Sequence, residues 1–185
     1  SIVVPAAPTS RAVTAPTPDT PPVSTGRAVR AVVAPAIDGR DLDAVWRNAP
    51  VMGGFRQFSP AEDAPTEFRT EARAAYDERY LYVFVRAFDP HPDSLVALLS
   101  RRDERTASEW LKVVVDSYHD RRTGLQFMVN PAGVKRDASI YSDNIEDVTW
   151  DGVWDVATRI DSLGWTAEYR IPFSQMRFNE NEEHT

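Results

Sequence analysis

The segment Tyr80–Phe88 constrains the fold more than any other stretch of this chain. Tyr80, Tyr82, Phe84 and Phe88 fall on one parity, and Leu81, Val83, Val85 and Ala87 on the other. Aromatic and β-branched residues at this density specify a strand, whose side chains alternate between two faces. A strand apolar on both faces has to be covered on both, which predicts a central place in a layered structure. It is also the second arm of a hairpin that starts at Ala72–Tyr76 and turns through Asp77-Glu78-Arg79. A second hairpin runs from Trp110–Asp116 through the polar His119–Gly124 to Leu125–Asn130. A third joins Trp154–Ile160 to Trp165–Ile171 through Asp161–Gly164. Apolar runs separated by Asp, Gly, Arg and Ser turns are the signature of antiparallel pairing. The expectation is an all-β fold, an antiparallel β-sandwich with one or two short helical turns, closing over Phe84, Val115 and Trp165 as a shared interior.

Around this frame the chain divides at about residue 30. Residues 1–30 interleave Pro5, Pro8, Pro16, Pro18, Pro21 and Pro22 with Ala, Thr, Ser and Val. Proline removes amide donors and fixes φ, so this stretch reads as a linker, and residues 31–185 as the folded domain. Val32–Ile37 reads as an edge strand because of Pro35. Asp38-Gly39 marks a turn, and Asp43 is placed to cap a short helix that turns Trp46 inward. Phe55–Phe58 reads as a short strand, Leu95–Leu99 as a brief amphipathic helix and Asn130–Gly133 as a type I turn. Val134–Tyr141 is extended and Tyr141–Val148 an acidic loop. After Pro172, Phe173–Phe178 has room for one helical turn.

Hydrophobic residues make up 42% of the chain, enough for a real interior without staples. There is no cysteine, which removes disulfides and thiolate metal sites and suits a protein of the bacterial cell envelope (periplasm or outer membrane) or a secreted one. The net charge is −7 for the whole chain; residues 1–36 carry Arg11, Arg27 and Arg30 against Asp19 alone, +2, so the rest carries −7 − 2 = −9. An acidic domain repels phosphate backbones, so nucleic acid is excluded as the main partner. No apolar run reaches transmembrane length. Catalytic signatures are also missing. His91, His119 and His184 lack metal-ligand spacing, and there is neither a Gly-x-Ser-x-Gly elbow nor a glycine-rich phosphate loop. The chain therefore reads as non-catalytic.

In order along the chain come Ile37-Asp38-Gly39 with Asp43 and Trp46, Thr70–Arg73 with Tyr76-Asp77, Leu81–Val83, Arg101-Arg102-Asp103 and Val115-Asp116. Phe127, Val129-Asn130-Pro131, Gly133, Trp150, Trp154, Gly164-Trp165, Glu168 and Ile171-Pro172-Phe173 follow. Together these landmarks resemble the family 9 carbohydrate-binding modules. They resemble in particular the modules at the amino terminus of bacterial outer-membrane β-barrel proteins of unknown function. The resemblance implies a jelly-roll or immunoglobulin-like sandwich, a glycan or oligosaccharide as ligand, an attached barrel or enzyme domain linked to polysaccharide degradation, and a structural Ca²⁺. In sugar-binding members two tryptophans clamp a sugar end. The stretch Arg102–Thr106 stands where one of them would fall, Lys112 and Met128 occupy cleft positions, and the second clamp residue would lie past Thr185.

Sugar recognition needs an aromatic platform for the apolar pyranose face and polar groups for the hydroxyls. Trp150 and Trp154 sit in or beside the acidic stretch Ser142–Val153, whose Asp143, Asn144, Glu146, Asp147 and Asp151 are placed to bond hydroxyls, and Trp110 opens a strand. Arg102 and Asp103 form a charge cluster suited to hydroxyl or carboxylate recognition. These five residues are the candidate ligand contacts. Asp116, Asp120, Asp143, Asp147 and Asp151 are hard oxygen donors for calcium, without EF-hand spacing. The alternative function is a protein-interaction or gating domain attached to an outer-membrane β-barrel.

Overall fold

A computed structural model describes residues 26–142 and 145–176. Two sheets form the frame. The first contains β1 (Val29–Arg30), β2 (Thr70–Tyr76), β3 (Tyr80–Phe88), β8 (Asp155–Asp161) and β9 (Gly164–Pro172), in the order β1-β2-β3-β9-β8. The second contains β4 (Leu111–Val115), β5 (Gly124–Val129), β6 (Lys135–Tyr141) and β7 (Ile145–Asp147), in sequence order. Every pairing is antiparallel except β1 with β2. The all-β sandwich expected from the hairpins is the observed architecture.

β3 lies at the centre of its sheet, between β2 and β9, as its two apolar faces require. Val83 and Val85 point into the space between the sheets, where they meet Val115, Phe127, Val129, Trp154, Trp165, Tyr169 and Ile171. Burial of aromatic and branched side chains contributes about 1.5–3 kcal/mol each, so this interior is the main source of stability. Tyr82 and Phe84 point the other way, under a lid formed by Ala31 and the short helix α1 (Ala44–Asn48). Trp46 of α1 lies 5.7 Å from the Phe84 ring. Phe84 therefore belongs to this second, outer layer. The shared interior expected for Phe84, Val115 and Trp165 holds only the last two, because successive residues of β3 serve opposite faces.

The outer layer is pinned by one buried carboxylate. Glu168 of β9, fully enclosed, accepts from the Trp46 indole N–H (2.8 Å) and from the amides of Asp38 and Gly39 (2.9 Å each). Burial pushes its pKa up, while the three donors pull it back toward the charged form. Gly39 takes φ +77°, a left-handed conformation that side chains resist, and this turns its amide onto Glu168. The turn at Asp38-Gly39 and the inward Trp46 thus have one cause. Asp43 precedes α1 but makes no side-chain cap.

Four local expectations give way to tertiary context. The first strand is Val29–Arg30, while Val32 and Val33 are exposed outside any strand. Arg56 makes only an isolated bridge to Pro65, so Phe55–Phe58 is not a strand. A 3-10 turn at Pro92–Ser94 replaces the helix expected at Leu95–Leu99, whose Leu98 and Leu99 are exposed and have no apolar face to bury. The acidic loop contains β7, which pairs with the end of β6. The turn at Asn130–Gly133 forms, with the Gly133 amide donating to the Asn130 carbonyl at 2.9 Å. The linker expected over 1–30 falls mostly on residues outside the described ones.

Candidate functional site

Of the five candidate contacts, Trp154 is not available to a ligand. It is 2% exposed, stacks on Tyr169 at 5.8 Å and meets the edge of Phe127 at 5.4 Å. Its indole N–H donates to Asp137 Oδ1 at 3.3 Å. Asp137, fully buried on β6, is also the anchor for Arg102 (2.6 Å) and for the Gly152 amide (2.5 Å). Arg102 in turn donates to the Gly152 carbonyl at 2.8 Å and pairs with Asp151 at 2.7 Å. Burial would lower the Arg102 pKa, but the Asp137 hydrogen bond and the surrounding carboxylates raise it. Asp103 accepts from the Asp137 backbone amide at 3.2 Å. Arg102, Asp103 and Trp154 are thus brought together, as an internal clamp that fixes the loop before β8. Their hydrogen-bonding groups are turned onto one another, because a buried carboxylate needs donors of its own.

Trp150 differs from Trp154. It is half-buried, edge-on to Phe127 at 5.8 Å and 77°, and it lines an open cleft of about 390 Å³ at one end of the sandwich. The clamp just described seats it. A Cβ on Gly152 would approach the Trp150 ring to 2.6 Å, so the indole lies directly against the glycine that Asp137 and Arg102 hold. Tyr118 and Tyr141 add two partly exposed aromatic rings to the cleft, and Ser117, Ser139 and Gln175 add polar groups. Thr123, Gly124, Leu125 and Ile140 complete the lining, none of them charged. The Ser117, Ser139 and Tyr141 hydroxyls make no side-chain hydrogen bond among the described residues. Gln175 gives its carbonyl oxygen to the Val153 amide at 3.0 Å and keeps its N–H donors. An aromatic wall beside unengaged hydroxyls and amide donors is chemically suited to a small polar ligand with an apolar face.

The sequence signal for these cleft residues lies in hydroxyl side chains rather than in tryptophans. On the inner face of sheet β4–β7 the row Val115, Leu125, Ser139 is followed by Ser117, Thr123, Tyr141. The inward parity changes from apolar to hydroxylated at the end of β4 (Val115 to Ser117) and the start of β5 (Leu125 to Thr123), beside Ser139 and Tyr141 of β6, so the interior turns polar where it opens.

Trp110 is half-buried at the start of β4, and its indole N–H donates to the Thr106 carbonyl at 3.2 Å, away from the cleft lining. Lys112 and Met128 face each other across β4 and β5, on the outer face of the sheet. There Lys112 (3.3 Å) and Arg136 (2.9 Å) converge on Glu146, and Met128 and Ala138 are buried with Gln126, whose Oε1 has no partner. Trp110, two residues before Lys112, follows the same parity at the end of this row. A larger hollow, about 470 Å³, lies beside β1 and is lined by Arg30, Ala31, Val32 and Asp77–Arg79, without an aromatic ring.

Among the described residues, the carboxylates considered for calcium are engaged by donors of the chain itself. Asp116 accepts from the Asp120 and Arg121 amides, Asp120 from Arg122 and Thr123, and Asp147 from Thr149. Asp151 pairs with Arg102, and Asp143 lies outside the described residues. No three metal-binding side chains converge among the described residues.

The fold and the end cleft define a β-sandwich of the binding-module class. The chain matches the family model described as carbohydrate family 9 binding domain-like over residues 37–184, and it belongs to that family. Two solved structures of a family 9 carbohydrate binding module from Caldicellulosiruptor kristjanssonii, one in complex with glucose and one with cellotriose, are similar in fold. Each is 20% identical with a TM-score of 0.55 over 84% of this chain, and the match covers 73% and 72% of theirs. A protein from Bacteroides uniformis is 13% identical with a TM-score of 0.63, over 86% of this chain and 78% of its own. No curated protein matches the chain. No helix among the described residues is long and apolar enough to cross a membrane.

Proposed function

We propose that this domain recognises carbohydrate and holds one sugar unit in the end cleft against Trp150. The observation that carries this reading is the position of a seated indole beside the Ser117, Ser139 and Tyr141 hydroxyls, which have no side-chain partner among the described residues. A pyranose presents an apolar face to such a ring and hydroxyls to such neighbours. Family membership and fold neighbours solved with glucose and cellotriose support the same class of ligand. The role is recognition without catalysis, and its setting is the cell envelope or the exterior, beside a barrel or a polysaccharide-acting enzyme domain. The absence of cysteine supports that setting, and fractionation of cells producing the parent chain tests it.

Calorimetric titration of the domain with glucose, cellotriose and a wider panel of oligosaccharides tests the reading. Binding that falls at least tenfold in Trp150→Ala, with the fold intact by circular dichroism, is expected. Absence of binding to every sugar, or equal binding by the variant, would contradict it. Turnover of chromogenic glycosides by the purified domain would contradict the non-catalytic part.

A further inference from the structure

We propose that two copies of this chain associate edge to edge through β4, in antiparallel register with Val114 at the two-fold axis. β4 pairs with β5 alone, so about half of its backbone N–H and C=O groups face away from the sheet. Among the described residues these groups find no backbone partner on that side. Such a row is a template for another strand, and proteins usually blunt it with charge, proline or brevity. β4 is five residues long, has no proline and ends in Val113-Val114-Val115. Val114 is 49% exposed.

The other edges are blunted. β1 has two residues. β7 has three, and Glu146 and Asp147 among them would set carboxylates of two copies side by side. β8 is flanked at its middle, where the Thr158 hydroxyl donates to the Pro131 carbonyl at 3.1 Å and the Gly39 turn packs against Thr158 and Arg159.

Lys112 is the one charge on β4, and a lysine on an edge ordinarily discourages pairing. Asp116, four residues on and of the same parity, changes its effect. Pairing about Val114 sets Val113 opposite the partner's Val115 and Lys112 opposite the partner's Asp116, the latter twice by symmetry. Pairing about Lys112 opposes two like charges, and pairing about Val113 faces Lys112 with a valine. Charge complementarity therefore selects one register. Asp116 accepts from the Asp120 and Arg121 amides, and no lysine or arginine pairs with it among the described residues. Lys112 is 44% exposed, and when it turns to a second copy, Arg136 still holds Glu146 at 2.9 Å. The backbone ladder and the valines supply the attraction, while the exposed charges fix register and add little strength. A five-residue edge is small beside the ~1,200–2,000 Å² of stable interfaces, so the association is weak and reversible.

The test is sedimentation velocity on the chain from micromolar to millimolar concentration, at physiological salt to screen the repulsion between two acidic copies. The expected result is a monomer–dimer equilibrium that Lys112→Asp and Asp116→Lys each weaken at least tenfold, with native circular dichroism. Mixing the two variants makes both cross-strand pairs opposite in charge again, so the mixture should associate as the natural chain does. A natural chain that stays monomeric throughout, leaving the edge to a strand of another protein, overturns the inference. So does a dimer that both variants leave intact, or a loss that mixing does not restore. Amide hydrogen exchange on the natural chain needs no variant: the outward amides of β4 should exchange more slowly as concentration rises, and rates independent of concentration also overturn it. None of these outcomes bears on sugar binding, which is measured separately.

Discussion

On the outer face of sheet β4–β7, Lys112 and Arg136 both reach Glu146, whereas at the open end of its inner face Ser117, Ser139 and Tyr141 keep their hydroxyls without a side-chain partner among the described residues. The outer face has the charged groups, and these are already satisfied by one another, although the buried Gln126 Oε1 there has no partner among the described residues. A ligand there would have to break existing ion pairs before gaining its own, and the net return of such an exchange is small. The end cleft has weaker groups, but the Ser117, Ser139 and Tyr141 hydroxyls among them are uncommitted and lie beside an aromatic wall. What makes a surface ready to bind is therefore polar capacity left over after folding, together with an apolar platform, and it is the end cleft that has both.

The largest expected effect tests the base on which the cleft is built. Trp154→Ala removes a fully packed indole from the interior and should cost about 3–5 kcal/mol in urea unfolding. A loss below about 1 kcal/mol would show that the interior is not organised around it. Asp137→Ala comes next. It deprives Arg102, the Gly152 amide and the Trp154 indole of their acceptor, and should cost about 2 kcal/mol. That is less than for a wholly buried pair, because Arg102 is 39% exposed and water screens it. The variant should also weaken sugar binding, since Gly152 loses its anchor; unchanged affinity would separate the clamp from the cleft.

Gly152→Ala sharpens the same link. Its backbone hydrogen bonds survive, but the new methyl group displaces the Trp150 ring, so calorimetry should find binding reduced about tenfold with little loss of stability. The smallest effect belongs to the outer face. Burial raises the Glu146 pKa, but the Arg136 hydrogen bond and the Lys112 charge outweigh it and leave the carboxyl below its usual 4.5. A depressed folded-state pKa gives stability that is present above the unfolded value and lost as pH falls through the folded one. Glu146→Gln should therefore cost well under 1 kcal/mol at pH 7, and the difference from the natural domain should shrink on acidification below about 4.5. Sugar affinity should be unchanged in this variant. A loss of affinity would move the binding site to the outer face.

Most of the architecture was legible from alternation alone. The two apolar parities of Tyr80–Phe88 require cover on both sides, and the structure supplies it with the second sheet and with α1. What alternation did not reveal was which layer Phe84 would join, since parity orders the two faces without naming what lies over each. Trp150 and Trp154 were not separable in sequence. They sit four residues apart in one loop, and their fates are set by Asp137, which reaches one indole N–H across the sheet and, through Gly152, seats the other ring. Arg102 and Asp103 belong to the right network in an internal role, because charge spacing does not reveal a buried carboxylate thirty-odd residues away. Val32-Val33 looks like a strand but protrudes, as local propensity yields where no apolar layer lies alongside.

The central claim is that sugar contacts Trp150 and leaves the other four tryptophans alone. The indole N–H resonances of Trp46, Trp110, Trp150, Trp154 and Trp165 can be followed in one heteronuclear NMR titration with cellotriose, assigned by single Trp→Phe variants. The account predicts that the Trp150 signal moves with sugar concentration, together with the amides of Ser117, Ser139 and Tyr141, while the Trp46 and Trp165 signals stay in place. Movement centred on Trp110, Met128 and Arg136 with Trp150 unchanged would contradict it.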